Sequence, residues 1–191
     1  MASADKTEVR ARALACRAAV GPSARASFAR SLAEAGLDLA SRRSPSAVSV
    51  FLPIRDEPDT RPLLDALAAA GFDTALPATP RRGEPLRFRA WRPGDPLVPG
   101  RFGTAEPAPE AAERDPDLLF VPLAAFDRRG FRLGYGAGFY DGALARLRAV
   151  RPVLAVGVAF AAQEVPAVPT EPLDQPLDAV LTERGLTLFG D

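Results

Sequence analysis

The sequence predicts an α/β fold: a single-domain three-layer sandwich, spanning residues 1–191, around a mostly parallel sheet and preceded by an N-terminal helical segment. Three observations lead to this prediction. Apolar strand-like runs alternate with helix-like segments along the chain, which is the pattern of parallel sheets. The length of 191 residues suits one domain with a sizeable core. Hydrophobic residues at 47% and charged residues at 25% are an ordinary globular balance, so a packed core is expected.

Helices are predicted from apolar spacing and from the residues typical of helix ends. The predicted helical segments are 6–35, 60–70 and 139–149. We expect the first to break near Gly21-Pro22, with Ser23 as a candidate cap of its second part. The second has Thr60 as a candidate N-cap and Pro62 in its first turn, where proline is tolerated.

Strands are predicted where short apolar runs are bounded by proline, glycine or charge. The predicted strands are 47–53, 73–78, 86–90, 118–126, 153–160 and 177–182. Residues 41–46 and 92–116 are predicted loops, and the second is rich in proline, glycine and charge. A loop of that length in a compact domain is often functional.

Composition excludes several kinds of chemistry. There is no histidine, so imidazole bases, Ser-His-Asp triads and histidine-containing zinc sites are absent from the sequence. The single cysteine, Cys16, allows no internal disulfide. Lysine plus arginine and aspartate plus glutamate both number 24, and the zero net charge argues against nucleic-acid binding. Catalysis must therefore use carboxylates, Lys/Arg, Tyr, backbone amides and a hard metal.

The basic N-terminal segment MASADKTEVRARALACRAAV has a second interpretation as a transit peptide. Asp5 and Glu8 within it argue against that interpretation. No apolar run is long enough to span a membrane, so no membrane partner is expected. We expect a cytoplasmic protein that is a monomer.

The stretch RLGYGAGFYDG, residues 132–142, is a glycine-rich motif that also contains aromatic and charged residues. It lies between a predicted strand and a predicted helix, where a helix N-terminus and glycine amides favour anions. The spacing is GxGxG, so it matches neither the dinucleotide fingerprint nor the P-loop. A purely structural turn therefore stays open from the spacing alone. Arg132 and Asp141 favour a binding site for phosphate and Mg²⁺ over a purely structural turn, since guanidinium binds phosphate and carboxylate binds magnesium.

With its flanking residues, VPLAAFDRRGFRLGYGAGFYDGAL resembles the signature of the 5-formyltetrahydrofolate cyclo-ligase family, also called 5,10-methenyltetrahydrofolate synthetases. The matching positions are Val121, Pro122, Asp127, Gly130, Arg132, Leu133, Gly134, Gly136, Gly138, Tyr140 and Asp141. Four further segments match the family in order: Lys6 with Arg10, FLPIRDEPDT, RFGTAEP and AFAAQEVPAVPTEPLDQPLDAVLTERG. The resemblance spans nearly the whole chain.

The resemblance implies a reaction that needs no histidine or cysteine. Enzymes of this family use ATP and Mg²⁺ to convert 5-formyltetrahydrofolate to 5,10-methenyltetrahydrofolate, ADP and phosphate. The formyl oxygen attacks the γ-phosphorus, and N10 of the same folate then captures the phosphorylated intermediate. The implied partners are ATP and 5-formyltetrahydrofolate, whose tail could carry one or several glutamates. The protein has to position two ligands and neutralise phosphate charge.

The resemblance also implies roles for individual residues. For ATP it implies Lys6, Arg10, Arg132, Leu133, Gly134, Tyr135, Gly136, Ala137, Gly138, Phe139 and Tyr140. For the folate it implies Leu52, Glu57, Trp91, Tyr135 and Tyr140, and for catalysis Glu57, Arg132 and Tyr140. For Mg²⁺ it implies Asp141 and Asp174. Each has an ordinary alternative: a solvated basic face for Lys6 and Arg10, packing for the aromatic residues, and a helix cap or plain turn for the two aspartates.

Three positions depart from the common family residues. Leu173 stands where a histidine often precedes the C-terminal aspartate, and Tyr135 and Ala137 stand where arginine or lysine is common in the glycine loop. These changes put ligand affinity in doubt more than the reaction. Two other classes stay open at this point. One is a non-catalytic paralogue that binds folate or nucleotide, and the other is a sugar-phosphate isomerase or CoA-transferase relative of similar architecture.

Overall fold

The computed structural model describes residues 5–80 and 85–190, apart from the side chain of Phe102. The described residues form four α-helices: α1 (Lys6–Ala18), α2 (Pro22–Arg43), α3 (Arg61–Ala69) and α4 (Phe139–Arg148). They form twelve strands: β1 (Val48–Ser49), β2 (Thr74–Ala78), β3 (Arg87–Ala90), β4 (Leu97–Pro99), β5 (Ala105–Pro107), β6 (Glu113–Arg114), β7 (Leu118–Pro122), β8 (Ala125–Phe126), β9 (Arg132–Leu133), β10 (Leu154–Val158), β11 (Ala179–Thr182) and β12 (Gly185–Leu188). In this part of the chain, no helix is both long and apolar enough to cross a membrane.

Eight strands form one twisted sheet in the order β12-β11-β10-β7-β1-β2-β3-β6. The five central strands, from β11 to β2, are parallel, and antiparallel strands are added at both edges. Two small antiparallel pairs, β4 with β5 and β8 with β9, lie outside this sheet. The prediction of a mostly parallel sheet is confirmed.

The sheet is covered on both faces, as expected for central strands whose residues are mostly apolar and buried. Along β7, Leu118 and Phe120 pack with α2 and α3, whereas Leu119 and Val121 pack with α4. All four side chains are at most 1% exposed. The three-layer arrangement is therefore confirmed. Helix α1 lies outside these layers, against β8 and the short 3₁₀ turn Ala161–Gln163.

The strand order reverses direction between β1 and β7, and this reversal positions the site. From β1 the chain moves to β2 on one side, whereas β7, β10 and β11 follow one another on the other side. Ligands in such open parallel sheets bind outside the carboxyl ends of the strands at the reversal. Two predicted site segments follow these two strands: the loop containing Glu57 follows β1, and the glycine-rich loop follows β7 through the β8–β9 pair.

Several element boundaries differ from the prediction. The predicted loop 41–46 begins later than expected because Arg43 is the last residue of α2. Ser44 is the C-cap of this helix and has a φ of 48°. Gly21, and not Ser23, is the N-cap of α2. The predicted strand 47–53 pairs only at Val48–Ser49. The predicted strand 118–126 divides into β7 and β8, because β8 leaves the sheet to pair with β9.

Two further differences concern short elements. The predicted loop 92–116 contains three strands, β4, β5 and β6, which are only two or three residues long and carry no strand-like run of their own. Strand β12 was not predicted, and all four of its residues are exposed.

Thr60 stands at the N-cap position of α3, but its hydroxyl donates to the carbonyl oxygen of Phe51 instead of capping the helix.

Asp127, one of the family-signature residues, organises the fold. Its carboxylate is fully buried and accepts hydrogen bonds from the backbone amides of Arg129 at 2.9 Å, Phe131 at 3.2 Å and Val168 at 2.8 Å. The guanidinium of Arg129 adds a 2.7 Å ion pair. This carboxylate ties the β8–β9 turn to the segment before the C-terminal strands, so it supports the glycine loop without lying in it.

We expect Asp127→Asn to lower the free energy of unfolding by about 2–4 kcal/mol, measured by urea denaturation. An amide would present N–H groups to backbone N–H donors, and the Arg129 charge would lose its partner. Asp38→Asn is the control, since Asp38 forms only an exposed i,i+4 pair with Arg42 and should change stability by less than about 0.5 kcal/mol. Equal effects of the two changes would contradict the structural role of Asp127.

Candidate functional site

The glycine-rich loop joins β9 to α4 and leaves its backbone open to solvent. Tyr135, Gly136, Ala137 and Gly138 are all exposed. Gly136 and Gly138 have φ values of 102° and 66°, which disfavour residues with a Cβ atom. Gly138 is also the N-cap of α4 and provides no side-chain cap, so the amides of the first helical turn face the loop. This arrangement can accept an anion.

Gly134 differs from its two neighbouring glycines. Its φ is not positive, and no described atom lies within 4 Å of the place where a Cβ would stand. Neither backbone conformation nor protein packing therefore requires glycine here. The open space beside Gly134 leaves its backbone accessible to close approach by a ligand.

Helix α1 provides two cations, of which Arg10 contacts this loop and Lys6 contacts the C-terminal segment. Lys6 and Arg10 lie on one face of the helix, as their spacing predicts. Nε of Arg10 donates to the carbonyl oxygen of Gly134 at 2.8 Å. Nζ of Lys6 lies 3.0 Å from Glu171 and 3.5 Å from Asp174. Burial lowers the pKa of Lys6, but its hydrogen bond to Glu171 and the attraction of Asp174 outweigh this, and its pKa lies above the ordinary value.

Arg132 is the third cation, and it is buried under the loop. Its guanidinium donates to Oδ1 of Asp141 at 2.9 Å and to the carbonyl oxygen of Gln175 at 2.5 Å. Burial lowers the pKa of Arg132, while the charge of Asp141 counteracts this effect. Arg132 thus connects β9, the first turn of α4 and the C-terminal segment.

The two aspartates predicted for Mg²⁺ lie on neighbouring segments. The backbone amide of Gln175, the residue after Asp174, donates to Oδ1 of Asp141 at 3.0 Å. Each carboxylate forms its contacts with the described residues through one oxygen, which is Oδ1 in Asp141 and Oδ2 in Asp174. No group of three or more metal-binding side chains occurs among residues 5–80 and 85–190. Two carboxylates suit Mg²⁺ because this ion takes its remaining ligands from phosphate and water.

Glu57 is held at the reversal point of the sheet by a tight turn. Its amide donates to the carbonyl oxygen of Ile54 at 3.1 Å, and Oε2 accepts from the amide of Ile54 at 3.0 Å. Oε1 accepts the hydroxyl proton of Tyr135 from the glycine loop. Only 7% of Glu57 is exposed. Burial raises the pKa of this carboxyl, while the hydrogen bonds from Tyr135 and Ile54 oppose the rise.

Arg17 and Asp56 complete this cluster, and the sequence analysis did not identify either. The guanidinium of Arg17 donates to the hydroxyl of Tyr135 and to Oδ1 of Asp56, each at 2.5 Å, and lies 3.9 Å from Glu57. A signal for Arg17 exists in the sequence, since it continues the helical face of Lys6 and Arg10 by seven residues. The apolar residue between them, Ala13, hides the continuity of this face.

The other predicted residues of the loop occupy different environments. The side chain of Leu133 is 4% exposed and packs in the core, so only its backbone can face a ligand. Phe139 begins α4, and Ala137 stands exposed near the tip of the loop. The hydroxyl of Tyr140 is buried, and no hydrogen-bond partner for it occurs among the described residues. Burial raises the pKa of Tyr140, which keeps the phenol protonated and available as a donor.

An apolar cleft of about 440 Å³ opens beside the Glu57 turn. Its lining includes two of the residues predicted for the folate, Leu52 and Trp91, together with Ile54 of the Glu57 turn and Leu64 of α3. Arg61, at the start of α3, provides a charged edge. A smaller cleft of about 260 Å³ near β6 contains none of the predicted site residues.

Comparisons with known proteins show the family to which the chain belongs. The profile of the 5-formyltetrahydrofolate cyclo-ligase family matches residues 2–183. The chain is 32% identical to a 5-formyltetrahydrofolate cyclo-ligase of Haemophilus influenzae, over 79% of this chain and 83% of that protein. It is 39% identical to the corresponding protein of Escherichia coli K12, over 71% and 76%. The NMR structure of Aquifex aeolicus 5,10-methenyltetrahydrofolate synthetase superimposes with a TM-score of 0.76 at 29% identity, covering 97% of this chain and 93% of that one.

Proposed function

Because the chain belongs to the 5-formyltetrahydrofolate cyclo-ligase family, we propose that it converts 5-formyltetrahydrofolate to 5,10-methenyltetrahydrofolate, using ATP and Mg²⁺ and releasing ADP and phosphate. One observation supports this proposal above the others. The buried carboxylate of Glu57, beside an apolar cleft, accepts a hydrogen bond from Tyr135 of the glycine loop. The proposed site for a heteroaromatic substrate and the proposed site for phosphates would therefore meet at Glu57 and Tyr135.

ATP would bind through its phosphates at the glycine loop. Lys6, Arg10 and Arg132 would neutralise the triphosphate, and the amides at the start of α4 would receive phosphate oxygens. Lys6 and Arg132 pair with acidic side chains, so both cations are held in place before a nucleotide arrives. Such preorganisation reduces the reorganisation that phosphoryl transfer requires.

The folate would bind with its ring system in the apolar cleft. Leu52 and Trp91 would cover the pterin or aminobenzoyl ring, and Glu57 would face N5 and N10. Apolar walls with a few fixed polar groups are typical of sites for small heteroaromatic ligands. The glutamate tail would leave the cleft towards solvent.

The proposed reaction needs only these residues for positioning, charge and one proton. The formyl oxygen attacks the γ-phosphorus, the bond to the leaving ADP breaks, and the formyl carbon becomes a phosphorylated iminium. N10 attacks this carbon, Glu57 takes the N10 proton, and the carbon–oxygen bond breaks as phosphate leaves. Arg132 stabilises charge on the transferred phosphoryl group. The unpartnered hydroxyl of Tyr140 donates to an oxygen at the reacting centre.

Asp141, together with Asp174, would hold Mg²⁺ beside the phosphates. When bound, the ion would neutralise charge on the phosphate oxygens. The fit rests on the two carboxylates on neighbouring segments, each with an oxygen outside the contacts described above.

We expect Asp141→Asn to raise the Mg²⁺ concentration for half-maximal activity by about tenfold or more, since one anionic ligand is lost. Asp174→Asn should produce a smaller increase. The measurement is a Mg²⁺ titration at saturating folate and fixed ATP. Glu171→Gln is the control, because Glu171 pairs with Lys6 but is not a proposed ligand. An unchanged Mg²⁺ requirement in Asp141→Asn would eliminate the metal assignment.

The decisive experiment for the function is an absorbance assay with purified protein. Methenyltetrahydrofolate absorbs in the near ultraviolet where the formyl substrate does not. We expect absorbance to rise only when ATP, Mg²⁺ and 5-formyltetrahydrofolate are all present. Fluorescence of Trp91, the single tryptophan, measures folate binding separately. Quenching without turnover would identify a non-catalytic folate-binding paralogue, and turnover of a sugar phosphate alone would refute the proposal.

A further inference from the structure

Arg17 is a buried residue between the two proposed ligand sites. It has no direct role in either site. Arg17 is 2% exposed, near the C-terminal end of α1, on the face that carries Lys6 and Arg10. Its side chain joins three segments: α1, the turn after β1 and the glycine loop. The proposed binding roles do not use it.

We propose that Arg17 is a positioning residue: through the hydroxyl of Tyr135, it fixes the carboxylate of Glu57 and couples that carboxylate to the glycine loop. This inference rests on the proposed function, since Glu57 is the residue through which it would affect turnover. It assigns to Arg17, and to the contact between Arg17 and Tyr135, a task distinct from ligand binding.

Hydrogen-bond chemistry fixes the direction of this relay. A guanidinium can only donate, so the hydroxyl oxygen of Tyr135 must accept from Arg17. The single hydroxyl proton is then directed to Oε1 of Glu57, which must accept. Because the amide of Ile54 donates to Oε2, both oxygens of the carboxylate are held by donors. The carboxylate therefore has one orientation, and part of that orientation depends on the glycine loop.

The contacts of Arg17 on its other side anchor the relay. Its second terminal nitrogen donates to Asp56, which directly precedes Glu57. Arg25 of α2 donates both to the carbonyl oxygen of Arg17 and to that of Asp56. Nε of Arg17 is buried without a partner in the described part of the chain. Burying a guanidinium with an unpaired donor is costly, and an apolar side chain would fill the same space more cheaply.

The charge of Arg17 also acts on Glu57. The groups that face this carboxyl are Arg17 from α1, Tyr135 from the glycine loop, Asp56 from its own turn and Tyr140 from α4. Burial raises the pKa of Glu57, and the Arg17 charge opposes this rise. Removing that charge raises the pKa further, so a smaller fraction of Glu57 is ionised at a given pH. The acid limb of the activity profile should then move to higher pH.

The test compares Arg17→Gln, Arg17→Lys, Tyr135→Phe and the double variant Arg17→Gln/Tyr135→Phe. The control is Arg12→Gln, an exposed position on the same helix. We expect Arg17→Gln to lower kcat by roughly 10²-fold, since misplacement of a reacting group has effects of this size. The KM for ATP should change little, and the acid limb should move up. Arg17→Lys should recover only part of kcat, because lysine keeps the charge but lacks the planar fork.

The double variant separates positioning from general support of the fold. If Arg17 acts through Tyr135, the loss of kcat in the double variant should be clearly smaller than the product of the two single losses. Multiplicative losses, or an acid limb that stays in place in Arg17→Gln, would overturn the inference. If Arg17→Gln does not fold, Tyr135→Phe decides alone, since it removes only the hydroxyl; an unchanged kcat and pH profile would then overturn the inference. A wild-type protein without turnover would instead refute the proposed function, on which the inference depends.

Discussion

Glu57→Gln is expected to lower kcat by about 10²–10⁴-fold, the usual range for removal of a general base, while the KM for ATP stays near the wild-type value. The change keeps the shape of the side chain but removes the group that would take the N10 proton. It also disturbs the turn, because an amide nitrogen would meet either the hydroxyl of Tyr135 or the amide of Ile54. The loss should therefore appear in turnover, not in nucleotide binding.

The pH dependence of the wild-type enzyme provides a second measurement for Glu57. Burial raises the pKa of this carboxyl, and the ionised form is the active base. As pH falls through that raised pKa, activity should decline, and the decline should begin at higher pH than an ordinary glutamate would give. Glu34→Gln is the control for both measurements, since Glu34 is exposed on α2 away from the site. A fully active Glu57→Gln enzyme would contradict the assignment.

The sequence predicted the features of the site that depend on local chain geometry. Alternation of strands and helices placed the glycine loop between a strand and a helix, and helical spacing placed Lys6 and Arg10 on one face. These two predictions needed only periodicity, which is a property of short segments. The family resemblance, in contrast, was needed to assign both Leu52 and Trp91 to the folate, and the two residues line one cleft.

The sequence analysis missed the side-chain contacts that join α1, the Glu57 turn and the glycine loop. Tyr135 was assigned to ligands, yet its hydroxyl lies between Arg17 and Glu57, which are 118 and 78 residues away in the sequence. Asp127 was recognised only as part of a motif, and its role as an acceptor for three backbone amides becomes visible only in the folded chain. Such roles depend on which loops meet at the reversal of the sheet, and short-range patterns do not encode this.

Arg132→Gln is expected to raise the KM for ATP by about 10- to 150-fold, corresponding to loss of a charge-assisted phosphate contact of about 1.5–3 kcal/mol. The KM for 5-formyltetrahydrofolate should change much less. The change also removes the ion pair with Asp141 and the bond to Gln175, so some loss of stability is expected. Stability and ATP affinity therefore have to be separated.

Arg148→Gln provides this separation. Arg148, at the end of α4, binds the same C-terminal segment through the carbonyl oxygen of Pro176 at 2.9 Å and Asp178 at 2.8 Å, but it has no place in the proposed phosphate site. Loosening that segment from α4 should lower the thermal midpoint and leave the KM for ATP near wild type. If Arg148→Gln raised the KM for ATP as much as Arg132→Gln, the higher KM of Arg132→Gln would reflect only the loss of structural support for the C-terminal segment. If Arg132→Gln raised the KM values for ATP and folate equally, a phosphate-specific role would be excluded.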